Sequence, residues 1–371
     1  MGGAPSLLRA AAPCRPVSLH ASVLLGAAYL TKGKGGIAAV ARLTARALRN
    51  QGADLRLLSY RDAEEGDIAG AKWTTAGGSR LAFLARCYLA ATTCQRCVYD
   101  SVGIARAHPR IAPLRRPYAV WIHGIEVWYG LHSDRARALR DADLVLVNSQ
   151  ATLERFREIN GDLPRATVCW LGTEAEAPPA TMPTFDGPPT VLALGTMDRD
   201  QLYKGHVELI DCWPTVVASV PRARLILAGG GSGVDYIKSR AAQSSVRNQI
   251  DVIGFVDESA LPSLWQAAHV FALPSRKEGF GIVYVEAMRQ GLPVIASVHD
   301  AGQEVNVDGE TGFNVDLDRA GELAGRLIDL LRSPDLCHRL GQNGLVRWRQ
   351  HFRFSAFEQR LNAAIGPFLA T

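Results

Sequence analysis

Cysteine is scarce and shows no pairing pattern. The 371-residue chain has seven, an odd number at irregular spacing, which excludes a scaffold organised by disulfides. Cys94 and Cys97 form one C-x-x-C with no second pair, so a structural zinc site lacks its ligands. Free thiols in a reducing compartment are expected. Long apolar runs are also missing. No uncharged apolar stretch approaches the ~18 residues of a membrane-spanning helix; Leu81–Tyr88 is apolar but is broken by Arg86. The opening MGGAPSLLRAAAPCRPVS has short apolar runs interrupted by Arg9, Pro13 and Arg15, unlike a secretory signal. A cytoplasmic location is expected, extending to peripheral attachment on the inner face of the cell membrane. Two nucleotide fingerprints are absent as well. There is no G-x-x-x-x-G-K-[ST], and the run Gly229–Gly233 is not G-x-G-x-x-G, which argues against a P-loop enzyme and a Rossmann oxidoreductase.

What is present is an ordinary globular composition, 47% hydrophobic and 21% charged, with enough length for two domains. The net charge of +5 is unevenly spread. Residues 1–180 carry 23 Lys/Arg against 15 Asp/Glu, and residues 181–371 carry 18 against 21. Between Arg80 and Arg116 there are seven arginines and one acid, Asp100. Such a half attracts anionic partners, for which an anionic membrane surface is the expectation rather than nucleic acid.

Short β-rich runs alternate with longer helical patterns, the rhythm of βαβ units and parallel sheets. Strands are expected at Ser22–Leu25, Leu55–Ser59, Tyr118–Ile122 and Leu144–Val147, with a helix at Ile37–Asn50 after a Gly/Lys-rich turn. Residues 174–189, EAEAPPATMPTFDGPP, hold five prolines in sixteen positions and suit a linker. The pattern then restarts. Strands are expected at Val191–Leu194, Leu225–Ala228, Val252–Gly254, Val270–Leu273 and Pro293–Ser297. Helices are expected at Gly205–Val220, from Ile282, and from Ala320 onward. The domain expectation is an N-terminal acceptor-side unit at 1–175, a hinge at 176–189 and a nucleotide-sugar unit at 190–350. A C-terminal helix at 351–371 would pack back on the first domain. In open α/β sheets the ligand lies beyond the carboxyl ends of the strands, where the motifs below fall.

Residues 275–297 read SRKEGFGIVYVEAMRQGLPVIAS. Glu278 and Glu286 are eight apart, with Gly279, Phe280 and Gly281 following the first. Glycines between a strand and a helix let backbone amides approach an anion, and the helix N-terminus favours negative charge. Eight residues is a little over two turns, so two carboxylates can face one ligand from different heights. Carboxylates accept hydrogen bonds from vicinal hydroxyls. A surface role for Glu286 fits poorly with its apolar setting, VYVEAM.

This segment resembles the E-x7-E signature of retaining GT-B glycosyltransferases, in particular glycosyltransferase family 4. The resemblance continues through Gly291–Ser297, Glu304-Val305, Asp308-Gly309 and Thr311–Phe313, and covers most of residues 190–315. It implies an α/β protein of GT-B fold, with two Rossmann-like doubly wound parallel-sheet domains facing across a cleft. It implies that Glu286 binds the donor ribose and Glu278 the donor sugar, while the backbone of Gly279, Phe280, Gly281 and Ile282 meets sugar and diphosphate. Arg199 and Lys204 match the pair that neutralises the leaving diphosphate without a metal; the spacer Asp200–Tyr203 alters the reach of Arg199. Gly35 and Gly36 resemble the N-domain glycine loop, with Lys32 and Lys34 either at phosphate or in solvent. His123 resembles the cleft histidine, and Glu126 stands where it could meet the acceptor. Phe255 and Val256 match the base-contacting loop, and Asn148-Ser149 a strand-end pair in which Ser149 suits an N-cap.

The function so implied is transfer of a hexose from a UDP- or GDP-linked sugar to a saccharide or lipid-linked saccharide, in polysaccharide or glycolipid assembly. No cofactor or metal is expected. The alternatives are a GT-B nucleotide-sugar epimerase and a non-catalytic sugar-nucleotide-binding subunit.

Overall fold

In the computed structural model, residues 21–184 and 186–370 are described. The opening segment in which a secretory signal was sought lies outside them, as does Cys14; the other six cysteines are free.

The first half runs β1 (Ser22–Ala27), α1 (Gly36–Asn50), β2 (Asp54–Ser59), β3 (Gly66–Ile68), β4 (Ala71–Thr75), α2 (Arg80–Ala91), β5 (Arg96–Tyr99) and α3 (Val102–Ala105). It continues through β6 (Tyr118–Ile122), α4 (Ser133–Arg140), β7 (Leu144–Val147), α5 (Gln150–Asn160) and β8 (Ala166–Val168). Its sheet has the order β3-β4-β2-β1-β5-β6-β7-β8. All pairings are parallel except β3 with β4. Every residue of β6 and β7 is buried, as expected of central strands covered on both faces.

The second half runs β9 (Thr190–Leu194), a 3₁₀ turn (Arg199–Lys204), α6 (His206–Ser219), β10 (Arg224–Ala228), α7 (Val234–Gln243), β11 (Ile250–Gly254), α8 (Leu261–Ala267) and β12 (Val270–Ala272). Then come α9 (Ile282–Arg289), β13 (Val294–Ser297), α10 (Gly302–Val305), β14 (Gly312–Val315), α11 (Glu322–Arg332), α12 (Pro334–His351) and α13 (Phe354–Ala370). Its six parallel strands are ordered β11-β10-β9-β12-β13-β14.

Among the described residues the chain crosses between the sheets twice. The first crossing follows β8; the second lies between α12 and α13. The crossings are hydrogen-bonded to each other, Thr173 N–H to Phe352 O at 2.8 Å and Phe354 N–H to Ala175 O at 3.1 Å. Gly172 permits this closeness, since a Cβ there would lie 3.0 Å from Phe352 O and 2.9 Å from Phe357 Cβ. Beyond the second crossing α13 lies along the first domain. Asn50 donates to Glu358 at 2.6 Å, Arg96 to Phe368 O at 3.0 Å, and the Arg46 guanidinium stands 3.8 Å from the Phe354 ring centre.

Candidate active site

The strand ends of both sheets meet at one place. β12 leads into residues 274–281, β9 into the turn ending at Lys204, and β13 into Asp300, while β6 and β7 present His123 and Asn148-Ser149 from the other side. Gly205 adopts a left-handed conformation (φ 92°). A Cβ there would sit 2.6 Å from Pro274 O, so only glycine lets the turn press against the β12 loop and deliver Lys204 to it.

Lys204 Nζ lies 2.9 Å from Glu278 Oε2, with side-chain exposures of 15% and 18%. Burial pulls the ammonium down, but the charge and hydrogen bond of Glu278 prevail and its pKa is raised. The Glu278 loop is held by Asp300, whose carboxylate accepts the Glu278 N–H at 2.8 Å and the Gly302 N–H at 2.9 Å. Burial, and then the nearby Glu278 charge, push the Asp300 carboxyl up to about 7.

Gly279 is one of the contacts between the domains. A Cβ there would lie 1.7 Å from His123 O. Its carbonyl accepts hydrogen bonds from Ser149 Oγ at 2.7 Å and Thr152 Oγ1 at 3.2 Å. Phe280 is buried, edge-on to Phe352. Gly281, with φ 87° and ψ 60°, starts α9 with no side chain capping it, so the first amides of that helix are left for another partner.

Glu286 lies half-buried in the second turn of α9. It borders a cavity of about 460 Å³ between the domains, walled by Lys32, Arg42 and Glu174 on one side and Glu258, Trp265 and Ile282 on the other. Burial pushes its carboxyl up to about 7, against the opposing charge of Arg289. The cavity reaches Ile282 and Glu286 but not the Lys204–Glu278 pair.

The His123 ring stacks on Trp121, and its Nε2 lies 2.7 Å from Asp100 O. A carbonyl only accepts, so Nε2 is the donor of this bond and Nδ1 is the ring nitrogen left on the other side. The Glu126 carboxylate accepts the His123 N–H at 2.5 Å, which makes it an anchor of this strand end. Asp100 is fully buried and accepts the Ala28 N–H at 2.6 Å. Burial, opposed mainly by that bond, lifts its carboxyl to about 7.

The other expected residues fall at the rim. Gly35 (φ 86°) and Gly36 form an exposed turn with open space for 4 Å around the point where a Cβ would stand, and Lys34 stands over the Tyr29 ring. Lys32 faces Glu258 across the cleft at 3.9 Å. Phe255 is 74% exposed at the end of β11, backed by Gly230, and Val256 is half-buried beside it. Arg199 is exposed and stands over the Tyr236 ring, at the first residue of the turn that ends with Lys204. One cluster among the described residues could gather around an ion, His299, Asp316 and Asp318. Its donors are already engaged: His299 Nε2 accepts the Leu317 N–H, and the carboxylates face Arg319 and Arg276.

Sequence reasoning missed Asp100, Asp300 and Arg42. The two aspartates each follow an apolar strand, CVYD and IASVHD, and an acid at a strand end in a doubly wound sheet is the signal that could have found them. Arg42 sits on the second turn of α1 and donates to Glu174 at 2.6 Å.

Comparison with known proteins bears on this site. The family model described as glycosyl transferases group 1 matches residues 183–347. The chain is 28% identical over 260 residues to the GDP-mannose-dependent monoacylated alpha-(1-6)-phosphatidylinositol monomannoside mannosyltransferase of Corynebacterium glutamicum, covering 64% of this chain and 67% of that protein. It is 36% identical over 181 residues to the phosphatidyl-myo-inositol mannosyltransferase of Mycobacterium tuberculosis, covering 46% and 47%. The matched segments thus span two thirds of the first relative and about half of the second. In fold, it resembles Anabaena HepE, solved in complex with UDP and glucose, at a TM-score of 0.76 and 19% identity, covering 94% of this chain and all of that one. The chain therefore has the GT-B fold, and its residues 183–347 match the model of glycosyl transferases group 1.

Proposed function

We propose that the protein is a retaining mannosyltransferase that takes its sugar from GDP-mannose and works on a lipid-linked acceptor at an anionic membrane surface. The observation that carries the chemistry is the Lys204–Glu278 pair, 2.9 Å apart, set at strand ends beside the uncapped start of α9. A departing diphosphate placed there would meet the Lys204 ammonium and the α9 amides, which accept the charge that develops as the glycosidic phosphate bond parts. Glu278 would then exchange part of its bond to Lys204 for hydroxyls of the sugar, and Glu286 would take the ribose hydroxyls in the cavity. His123 offers Nδ1 on the opposing wall. No metal is needed for this charge balance. With no carboxylate assigned as nucleophile, retention would follow from attack on the same face as departure, where positioning carries much of the rate.

The choice of mannose, GDP and a lipid acceptor rests on the names of the relatives. The membrane face rests on this chain. Helix α2 exposes Leu81 (79%) and Leu89 (68%) beside Arg80 and Arg86. Arg116, in the loop carrying Arg110, Ile111 and Arg115, donates to Ala91 O and Cys94 O at the end of α2. The one acid of this stretch, Asp100, is buried, so the face is apolar and cationic, suited to anionic lipid. Among the described residues no helix is long and apolar enough to cross a membrane.

The test is a thermal-shift screen against GDP-, UDP- and ADP-sugars, followed by transfer to phosphatidylinositol and its mannosides with NMR of the product anomer. GDP-mannose should stabilise most and give an α-linked product. A β-linked product, or turnover of donor to an epimer without acceptor, would refute the reading.

A further inference from the structure

The start of α5 is finished by the opposite domain. Ser149 caps the helix by accepting the Thr152 N–H at 3.0 Å. The next two free amides, Gln150 and Ala151, donate to the Glu304 carboxylate at 2.9 and 2.6 Å. A third donor from the first domain, Trp170 Nε1, reaches the same carboxylate at 3.0 Å. Glu304 belongs to α10 of the second domain and is itself fixed there. Arg347 on α12 donates to Glu304 O and Val305 O, both at 2.8 Å, and stands over the Trp170 ring. Charge-assisted bonds to helix N-terminal amides are among the stronger ones available at a partly exposed site. Here all three cross the domain boundary.

The same few residues set the reacting centre. Asn148 Nδ2 donates to His123 O at 2.7 Å, and Ser149 and Thr152 hold the Gly279 carbonyl. Residues 148–152 therefore grip the histidine strand end with one side chain and the donor loop with two others, while Glu304 secures them from behind. When the domains part, the Gln150 and Ala151 amides lose their partner together with the Gly279 contact.

We infer that Glu304 is a positioning residue for transfer: it caps α5 across the domain boundary and so sets the distance between His123 and the loop 278–281. The inference rests on the transferase reading for its kinetic consequence but not for its structural one. Glu304 does not line the cavity at Glu286, so its loss should appear in the closed geometry rather than in nucleotide affinity.

The full-length chain is tested as Glu304→Ala and Glu304→Gln, with Trp170→Phe and the pair Ser149→Ala/Thr152→Val as independent cuts in the same clasp. Expected for Glu304→Ala is a kcat loss of about tenfold or more, with donor KM and GDP affinity by calorimetry within about threefold. Glu304→Gln keeps one acceptor oxygen and should recover part of the rate. Small-angle scattering should show Glu304→Ala more extended than wild type. Wild-type kcat in Glu304→Ala, or a kcat loss matched by equal loss of GDP affinity, overturns the inference. If Glu304→Ala does not fold, unchanged kcat in both Glu304→Gln and Trp170→Phe overturns it instead. If the wild-type protein transfers no sugar from any donor, the transferase reading fails by itself. Scattering then decides the clasp, and equal radii of gyration for wild type and the Glu304 variants refute it.

Discussion

Removing Lys204 should separate stability from catalysis. Two unit charges at 2.9 Å attract by about 6 kcal/mol at an effective dielectric near 20. Withdrawing both from water offsets much of that, so the intact pair adds little net stability. Lys204→Ala leaves the Glu278 carboxylate without its partner. Stranding a buried charge costs about 3–5 kcal/mol, and the 18% exposure of Glu278 places this case toward the lower end. The same substitution removes the cation that meets the departing phosphate, a loss of about 10²–10³-fold in kcat. The double variant Lys204→Ala/Glu278→Ala removes the stranded charge. Its urea midpoint should return toward wild type while transfer stays as low as in the single variant or lower. Chemical denaturation and radiolabelled transfer, run on the four members of the cycle, measure both quantities. A double variant no more stable than Lys204→Ala would show that the pair is not coupled as described. Transfer by Lys204→Ala within about threefold of wild type would remove Lys204 from the chemistry.

Three further outcomes are expected. Burial holds the Glu286 carboxyl up to about 7, and hydroxyls are gripped best by its ionised form. Donor affinity should therefore rise from about pH 6 to about pH 8, and Glu286→Gln should weaken binding about tenfold and flatten that rise; calorimetry showing a flat wild-type profile would count against the assignment. Gly279→Ala places a methyl 1.7 Å from His123 O, forcing the domains apart, so transfer should fall by about 10²-fold while circular dichroism stays native; full activity would mean the closed contact is not the working one. Leu81→Asp with Leu89→Asp should cut co-sedimentation with anionic vesicles by about tenfold and leave donor affinity unchanged; equal sedimentation would place the lipid face elsewhere.

The strand-to-loop transitions were the legible part of the sequence, because apolar runs that stop at glycine or a polar residue mark strand ends whatever the tertiary context. The helix expected from Ile282 begins there, and the strand expected at Tyr118–Ile122 has those bounds. Others grew or shrank by a few residues, as with β1, which continues to Ala27. The β3–β4 hairpin escaped notice because its strands are short and leave almost every residue short of full burial. Within the site, the glycine–glutamate motif was readable because its members are close in sequence. The partners of Gly279 were not: Ser149 lies 130 positions away, and a serine after a strand reads first as a helix cap.

The paired crossings at Thr173–Ala175 and Phe352–Phe354 have a mechanical meaning. A single tether would let one lobe swivel in any direction, like a ball on a string. Two backbone segments bonded side by side would instead act as a door hinge, turning any parting of the lobes into travel along one axis, with a change at the crossing magnified at the far edge of the door.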